Sequence, residues 1–387
     1  MSETGSTNVL TSSGRVAGWA IYLAMSWTWC IGMFMPVLIM RELGFAGVVT
    51  FGIPNIIGSI LMGWLIVSPQ QSRKLVHEHR TACVWFSLVT IVYHAFFAAW
   101  IIRRIDGPAA GFQAVVVFVI FWIMLKWKGG GDFLATSLAL AISIAVMALG
   151  FVRGDLPYVA HPVQGTRLTA IDNLWLAPAW TLGFLCCPWL DLTFHSARQH
   201  MSRIESRIAF AIGFGVLFAG VLLLTVAYSG WLTIGLDRLK YPRLAGILST
   251  YFIVQSCLTC ALHAGQIAHV EKKLPMRQFF GFSALLVMAV VLGIYDRPDL
   301  QYNGIALGEI VYRAFMGFYG LVVPAYVWVR LVPPRRSMLR VWMVVVVAAP
   351  LYWLGFAGEM MGFILPGVFI VIVAKFLPEN APRKRGG

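Results

Sequence analysis

Ten stretches of roughly 20 apolar residues recur along this chain, and no other feature limits its fold as strongly. A hydrocarbon layer about 30 Å thick needs about 20 helical residues to cross. Runs of that length occupy 16–40, 44–67, 81–102, 110–127, 133–152, 171–195, 207–231, 243–269, 278–295 and 305–329. A longer run, 339–377, is interrupted at Gly358, Glu359 and Gly362 and reads as one kinked helix or two short ones. Hydrophobic side chains make up 59% and charged ones 12% of the 387 residues, against about 25% charged in soluble domains. This excludes soluble, disordered and collagen-like classes, and six Cys are too few for a disulfide scaffold. The fold class expected is an all-α polytopic membrane protein.

Loop charge sets the topology. With the N-terminus inside and twelve spans, cytoplasmic segments hold 20 Lys and Arg and outer loops hold 9. With eleven spans the balance falls to 16 against 13, so twelve spans with both termini cytoplasmic fit the positive-inside rule better. A net charge of +14 then reflects inner loops, and no nucleic-acid motif accompanies it. Residues 1–15 read as a polar cytoplasmic arm without a cleavable leader, 16–330 as a ten-helix core, 331–377 as two added helices and 378–387 as a basic tail. That tail holds Pro378, Pro382, Arg383, Lys384 and Arg385; the longest loop, about 153–170, holds Pro157, Pro162 and Gly165. Cys30, Cys83, Cys186, Cys187, Cys257 and Cys260 all lie in apolar runs and are expected to be reduced and buried.

Spans 1 and 6 echo each other. The first carries Ala24, Trp27, Thr28, Gly32 and Pro36; the sixth carries Ala177, Trp180, Thr181, Gly183 and Pro188. The two Trp-Thr pairs are 153 residues, or five spans, apart. An odd number of spans makes the two helices antiparallel, the mark of an inverted repeat (about 16–152 and 171–330). Gly and Pro loosen helices, and interrupted spans in matching positions point to a transporter's binding site. In these features the chain resembles the leucine-transporter (LeuT) fold shared by sodium:solute symporters and amino acid–polyamine–organocation transporters, over about residues 16–330. The resemblance implies a five-plus-five inverted repeat, discontinuous helices 1 and 6, and a site that helices 3, 8 and 10 complete. A glycine–X–glycine at the first break, used by many amino-acid carriers to hold a carboxylate, is missing here.

Polar groups at mid-membrane depth give a separate line of argument, because they are expensive in hydrocarbon. They are Trp27, Thr28 and Cys30 with Gly32 in span 1, His94 in span 3, and Trp180, Thr181 and Gly183 in span 6. Gln255, Ser256 and Thr259 follow in span 8 and Arg313 in span 10. Asn55, beside Pro54, fits none of these groups. Ser256 and Thr259 share a helix face; they either bond back to their own carbonyls or offer oxygens to a sodium ion, as the span-8 hydroxyl pair of sodium symporters of this fold does. Arg313 pairs with Glu309 one turn earlier, structurally or as a gate. His94 is an interior donor or a substrate ligand. Asp191 and His195 are expected to pair with Arg198 or Arg203, with proton coupling open to Asp191. Trp27, Trp29, Trp175, Trp180 and Trp189 could line an aromatic pocket, although Trp175 and Trp189 read as interfacial anchors.

Two other classes compete with transport. His195-x4-His200 and His263-x5-His269 resemble the histidine boxes of di-iron membrane oxidoreductases, but those use about eight ligands and adjacent His-His pairs, which are lacking here. Cys257-x-x-Cys260 without a second pair argues against zinc, and the glycines at 213, 215 and 220 lie inside an apolar span and read as helix packing. A non-transporting membrane subunit or sensor of the same fold is the other alternative. The expectation is a non-enzymatic secondary transporter of a small organic solute in the cytoplasmic membrane, needing no cofactor beyond a possible sodium ion. Its partners would be solute and lipid; sequence is silent on oligomeric state.

Overall fold

The computed structural model describes residues 4–105, 108–127, 130–158, 168–231, 240–271, 275–297 and 299–378, with the side chains of 4–12, 102, 104 and 108–110 left out of the description. Pro162, Gly165 and the tail residues Pro382, Arg383, Lys384 and Arg385 lie outside those residues. Helices dominate: α1 Thr4–Trp27, α2 Cys30–Leu65, α3 Pro69–Glu78, α4 Arg80–Ile105, α5 Pro108–Leu125, α6 Gly131–Arg153, α7 Asp172–Cys186 and α8 Leu192–Gln199. There follow α9 Arg203–Ala227, α10 Pro242–Val270, α11 Met276–Ile294, α12 Leu307–Leu331, α13 Met338–Phe356 and α14 Ile364–Ala374. The described strands, β1 Gln301–Tyr302 and β2 Ile305–Ala306, form a hairpin. Its turn residues Asn303 and Gly304 both take positive φ, as a two-residue hairpin turn requires.

Among the described residues, eight helices are long and apolar enough to cross a membrane. Large apolar side chains such as Phe112, Val115 and Ile123 on α5 and Phe280, Val287 and Met288 on α11 face outward. Outward-facing rows of this kind suit lipid and not water, and the chain is a helical multi-pass membrane protein. The run 339–377 forms two helices: α13 and α14 fold back on each other, with a left-handed Glu359 in the turn between them. Lys375, just beyond the last turn of α14, donates to the Trp328 and Val332 carbonyls. Arg340 of α13 caps the same end through the Ala374 and Leu377 carbonyls.

Both predicted discontinuities exist. Helix continuity is lost at Thr28 and Trp29, between α1 and α2, and again after α7, where a 3-10 turn at Cys187–Leu190 leads to an extended Asp191 before α8. Predicted spans 1 and 2 share one long helix that turns sharply at Gly44 (φ 67°). The chain doubles back there far enough for Asn55 to bond Trp27. Two further helices carry wider π turns, α9 at Gly213–Phe218 and α12 at Phe318–Val322 and Val327–Leu331. Such turns concentrate at functional sites. The second half of α2 crosses α7 at the closest approach in this region, where a Cβ on Gly58 would fall on the Phe184 carbonyl.

Gly58→Leu should therefore separate α2 from α7 and destabilise the chain by about 1–3 kcal/mol or more. A melting curve in detergent checks this; an unchanged melting temperature would mean that the two backbones do not touch here.

Candidate functional site

The two breaks meet in the middle of the bundle. Thr193 Oγ1 on α8 lies 3.2 Å from Ser26 Oγ at the end of α1, and the Trp27 and Phe194 rings pack 4.8 Å apart. Ser26 in turn donates to the Leu23 carbonyl, and Thr28 Oγ1 to that of Ala24. Asp191 caps α8: its Oδ1 accepts from both the amide and the hydroxyl of Thr193, each at 2.7 Å. The other carboxylate oxygen, Oδ2, is buried and receives no hydrogen bond among the described residues. The expected pairing of Asp191 with Arg198 or Arg203 is not what forms. Arg198 is buried and donates to the Ile66 and Met201 carbonyls, because two chain ends arriving there need a donor more than Asp191 needs a cation. His195 bonds Ser72 and the Trp189 carbonyl.

His94 closes the first break. Its Nδ1 donates to the Thr90 carbonyl at 2.7 Å, which leaves Nε2 to accept from the Cys30 amide at 3.1 Å. A helix start has amides without intrahelical partners, and here an imidazole from a neighbouring helix serves one of them. Both ring nitrogens are thereby engaged. The early carbonyls of α2 are bonded as well: Tyr312 donates to Cys30, Thr225 to Gly32 and Tyr228 to Met33. Gly32 lets the Phe218 ring pack close to this turn. Trp27 donates from Nε1 to Asn55 Oδ1 at 2.7 Å, which accounts for a polar residue beside Pro54.

Trp29 fills the gap between the broken ends. It is buried, and the rings of Trp27, Tyr319, Phe86, His263 and His94 surround it with centroids 4.5 to 6.1 Å away. His263 bonds Ser87 through Nδ1, while its buried Nε2 has no hydrogen-bond partner among the described residues. Tyr319 sits in the first π turn of α12, whose carbonyl accepts from Cys187 Sγ. Gly183 lets α7 lie against that backbone.

The predicted site is thus only partly assembled. Trp27, Thr28, Cys30, Gly32 and His94 gather at the first break, and Gly183 packs beside the second. Trp180 stacks edge-on against Phe51 and borders a small space beneath Arg313, well along α7 from the break. Thr181 is on the exposed side of α7. The reason is geometric: α7 stays helical through its Trp-Thr pair as far as Cys186 and the chain becomes extended only at Asp191, whereas α1 ends at Trp27 and opens within its own pair, at Thr28. Gln255 donates to Ser143 and toward the Met25 sulfur, and its Oε1 is buried without a partner. The Ser256 and Thr259 hydroxyls are buried and make no hydrogen bonds among the described residues. Thr28, Thr90, Thr225 and Thr250, by contrast, bond back four residues. Ser256 borders a lateral groove of about 890 Å³ that includes His94, Cys257 and Cys260. Among the described residues no group of His, Cys, Asp and Glu is arranged to hold a metal ion. Sequence reasoning gave no role to Ser26, Thr193, Phe86 or Tyr319, since nothing in their local pattern announces a meeting of two distant breaks.

The two ends of the bundle differ. At one end Arg313 lies 2.6 Å from Glu309 and 2.7 Å from Glu42, with Glu359 at 3.5 Å. Arg41 joins Glu309 at 2.8 Å and Glu42 at 2.5 Å. This network ties the turn of α2, the start of α12 and the α13–α14 turn together. At the other end a vestibule of about 870 Å³ opens among His79, Arg80, Trp85, Tyr326, Arg330 and Trp342. Its inner wall includes Phe86 and Leu190, which adjoin Trp29 and Asp191. His79 Nδ1 bonds the Tyr326 hydroxyl at 2.8 Å, and burial pushes this imidazole below its ordinary value. Arg335, through its hydrogen bond, holds Glu78 nearby below the usual carboxylate range.

No protein-family model matches the chain, and no curated protein does. Among solved structures it is similar to Mhp1, a nucleobase-cation-symport-1 family transporter, in a closed conformation with bromovinylhydantoin bound. The two share 12% identity over 93% of this chain and 91% of that one, with a TM-score of 0.45.

Two outcomes follow from this geometry. Arg313→Met removes the cation shared by Glu309, Glu42 and Glu359, leaves Arg41 alone beside the first two, and should destabilise the chain by about 3–5 kcal/mol, with Arg41→Met costing less because its side chain is 26% exposed; equal melting temperatures for both variants would refute the central role of Arg313. The folded chain holds His79 neutral, while the unfolded chain protonates it near about 6.5. Stability should therefore persist above that pH and decline as pH falls below it, and His79→Gln should flatten that acid slope in a pH series of melts.

Proposed function

We propose that this chain is a secondary transporter that moves a small organic solute by alternating access. What carries the proposal is the meeting of two broken helices at a buried junction, between one end locked by ion pairs and another that opens into a vestibule. Broken helices inside a membrane protein are tolerated where they line a cavity or are buried in protein, and their free ends bind solutes and ions in transporters. The solute would bind where Trp29 now sits, among Trp27, Thr28, Cys30, Gly32, His94 and Gly183, with Gln255 backing the site and Trp180 and Thr181 further along α7. Glu309 and Arg313 would then be the gate at the locked end. The charge bias of the loops supports a cytoplasmic-membrane location with both termini and the vestibule inside. The echo of spans 1 and 6 supports the five-plus-five inverted repeat.

A second reading concerns the coupled ion. The unbonded hydroxyls of Ser256 and Thr259 favour a sodium ion on α10, since buried oxygens without partners are costly.

The purified chain should show a raised melting temperature with one member of a panel of amino acids, betaines, sugars, hydantoins and nucleobases, because a ligand that binds only the folded state stabilises it. That solute should also accumulate in liposomes holding the chain. Sodium dependence lost in Ser256→Ala and Thr259→Ala would support the second reading. No response to any solute, with or without sodium, would turn the reading toward a non-transporting subunit or sensor.

A further inference from the structure

Asp191 is a buried acid that its surroundings leave half-served. Its side chain is fully enclosed, Oδ1 takes both bonds from Thr193, the Phe194 amide lies beside the carboxylate, and among the described residues none makes a hydrogen bond to Oδ2. The titratable groups that face it come from four directions: Tyr22 of α1, Cys83 of α4, Cys187 before the break and Tyr319 of α12. None is basic. On its own element His195 and Arg198 are turned to Ser72, Trp189, Ile66 and Met201. An ionised carboxylate in such a place carries several kcal/mol of uncompensated burial. Phenols and thiols are not the carbonyl and carboxylate oxygens that a hard metal cation selects. A proton needs no further ligand.

Position adds a second argument. Asp191 is the hinge residue between the 3-10 turn and α8, so any swing of α8 passes through it. Thr193, which holds Oδ1, is the same residue that reaches Ser26 at the other break. Leu190, its chain neighbour, is part of the vestibule wall. Changing the charge on this carboxylate would thus act on both breaks at once, next to a route to solvent.

We propose that Asp191 is the proton-coupling group of this transporter, holding a proton on Oδ2 in the state with the locked end closed and exchanging it with solvent on whichever side is open as the two ends open in turn. The proposal rests on the transport reading and names the ion that drives it. One proton is bound and one released per cycle; no other bond forms or breaks, and the locked state holds Asp191 as the neutral acid.

The test needs no solute. Infrared spectra of the full chain in lipid should show the carbonyl band of a protonated carboxylic acid in neutral buffer, lost in Asp191→Asn. With Val322→Cys as a reporter in the vestibule, the rate of labelling by a charged maleimide, divided by the thiolate fraction of the reporter at each pH, should change with pH, and this corrected rate should become pH-independent when Asp191→Asn is added. Should Asp191→Asn fail to fold, Asp191→Glu should shift the band in a folded chain. Absence of the band from the native chain, or the same pH dependence of labelling with Asn at 191, would overturn the proposal. It fails separately from the transport reading: solute accumulation driven by sodium with pH-independent labelling overturns the proton assignment alone.

Discussion

A helix interrupted within hydrocarbon must find new partners for the backbone groups that the interruption frees, because no water is there to take them. Most of this molecule's interior is arranged around that demand at two places. At the first break a histidine from α4 accepts the Cys30 amide, and Thr225 donates to the Gly32 carbonyl, which Pro36 four residues on has no amide to serve. At the second break Asp191 caps α8 and Arg198 collects carbonyls from two chain ends. Aromatic packing around Trp29 excludes water from the same region.

The two ends of the bundle answer to a different balance. Five charges gathered in one network are individually costly to desolvate but mutually satisfied, so breaking any one contact strands others. Such an assembly is all-or-none, which is what a gate between two states requires. The vestibule end has fewer such ties: Arg330 donates to the Arg336 carbonyl, and Arg335 holds Glu78 at a more exposed site. Opening at that end disturbs less.

Much of the fold was legible in the sequence for a simple reason. Spans of about 20 residues follow from bilayer thickness, and a chain that lacks them cannot cross. Gly and Pro in spans 1 and 6 announced that these helices would be weak, although Gly32 and Pro36 lie inside α2 and the first break falls before them, at Thr28 and Trp29. The Glu309–Arg313 pair was legible because i, i+4 neighbours meet within one helix. Its partners Arg41, Glu42 and Glu359 were not, since they come from sequence positions up to 271 residues away. The Trp-Thr echo marked the first break closely but misplaced the second, where α7 continues past Trp180 and Thr181 and leaves Thr181 on the exposed side. A tandem motif records sequence, not where the helix unwinds; that depends on which backbone groups can be capped by neighbours.

Sequence by itself determined the environment, the number of long apolar runs, the charge bias of the loops and which helices would be weak. Those properties are local, set by hydrophobic length and by backbone freedom, and they hold before any two helices touch. Only the tertiary structure decided that the two breaks meet, that Asn55 belongs to Trp27 and His94 to an amide, that Arg198 serves carbonyls instead of Asp191, and that one carboxylate oxygen at the hinge is left without a donor. Each of these is a contact between distant parts of the chain, and in a low-dielectric interior the choice of partner is made by which groups arrive there unpaired.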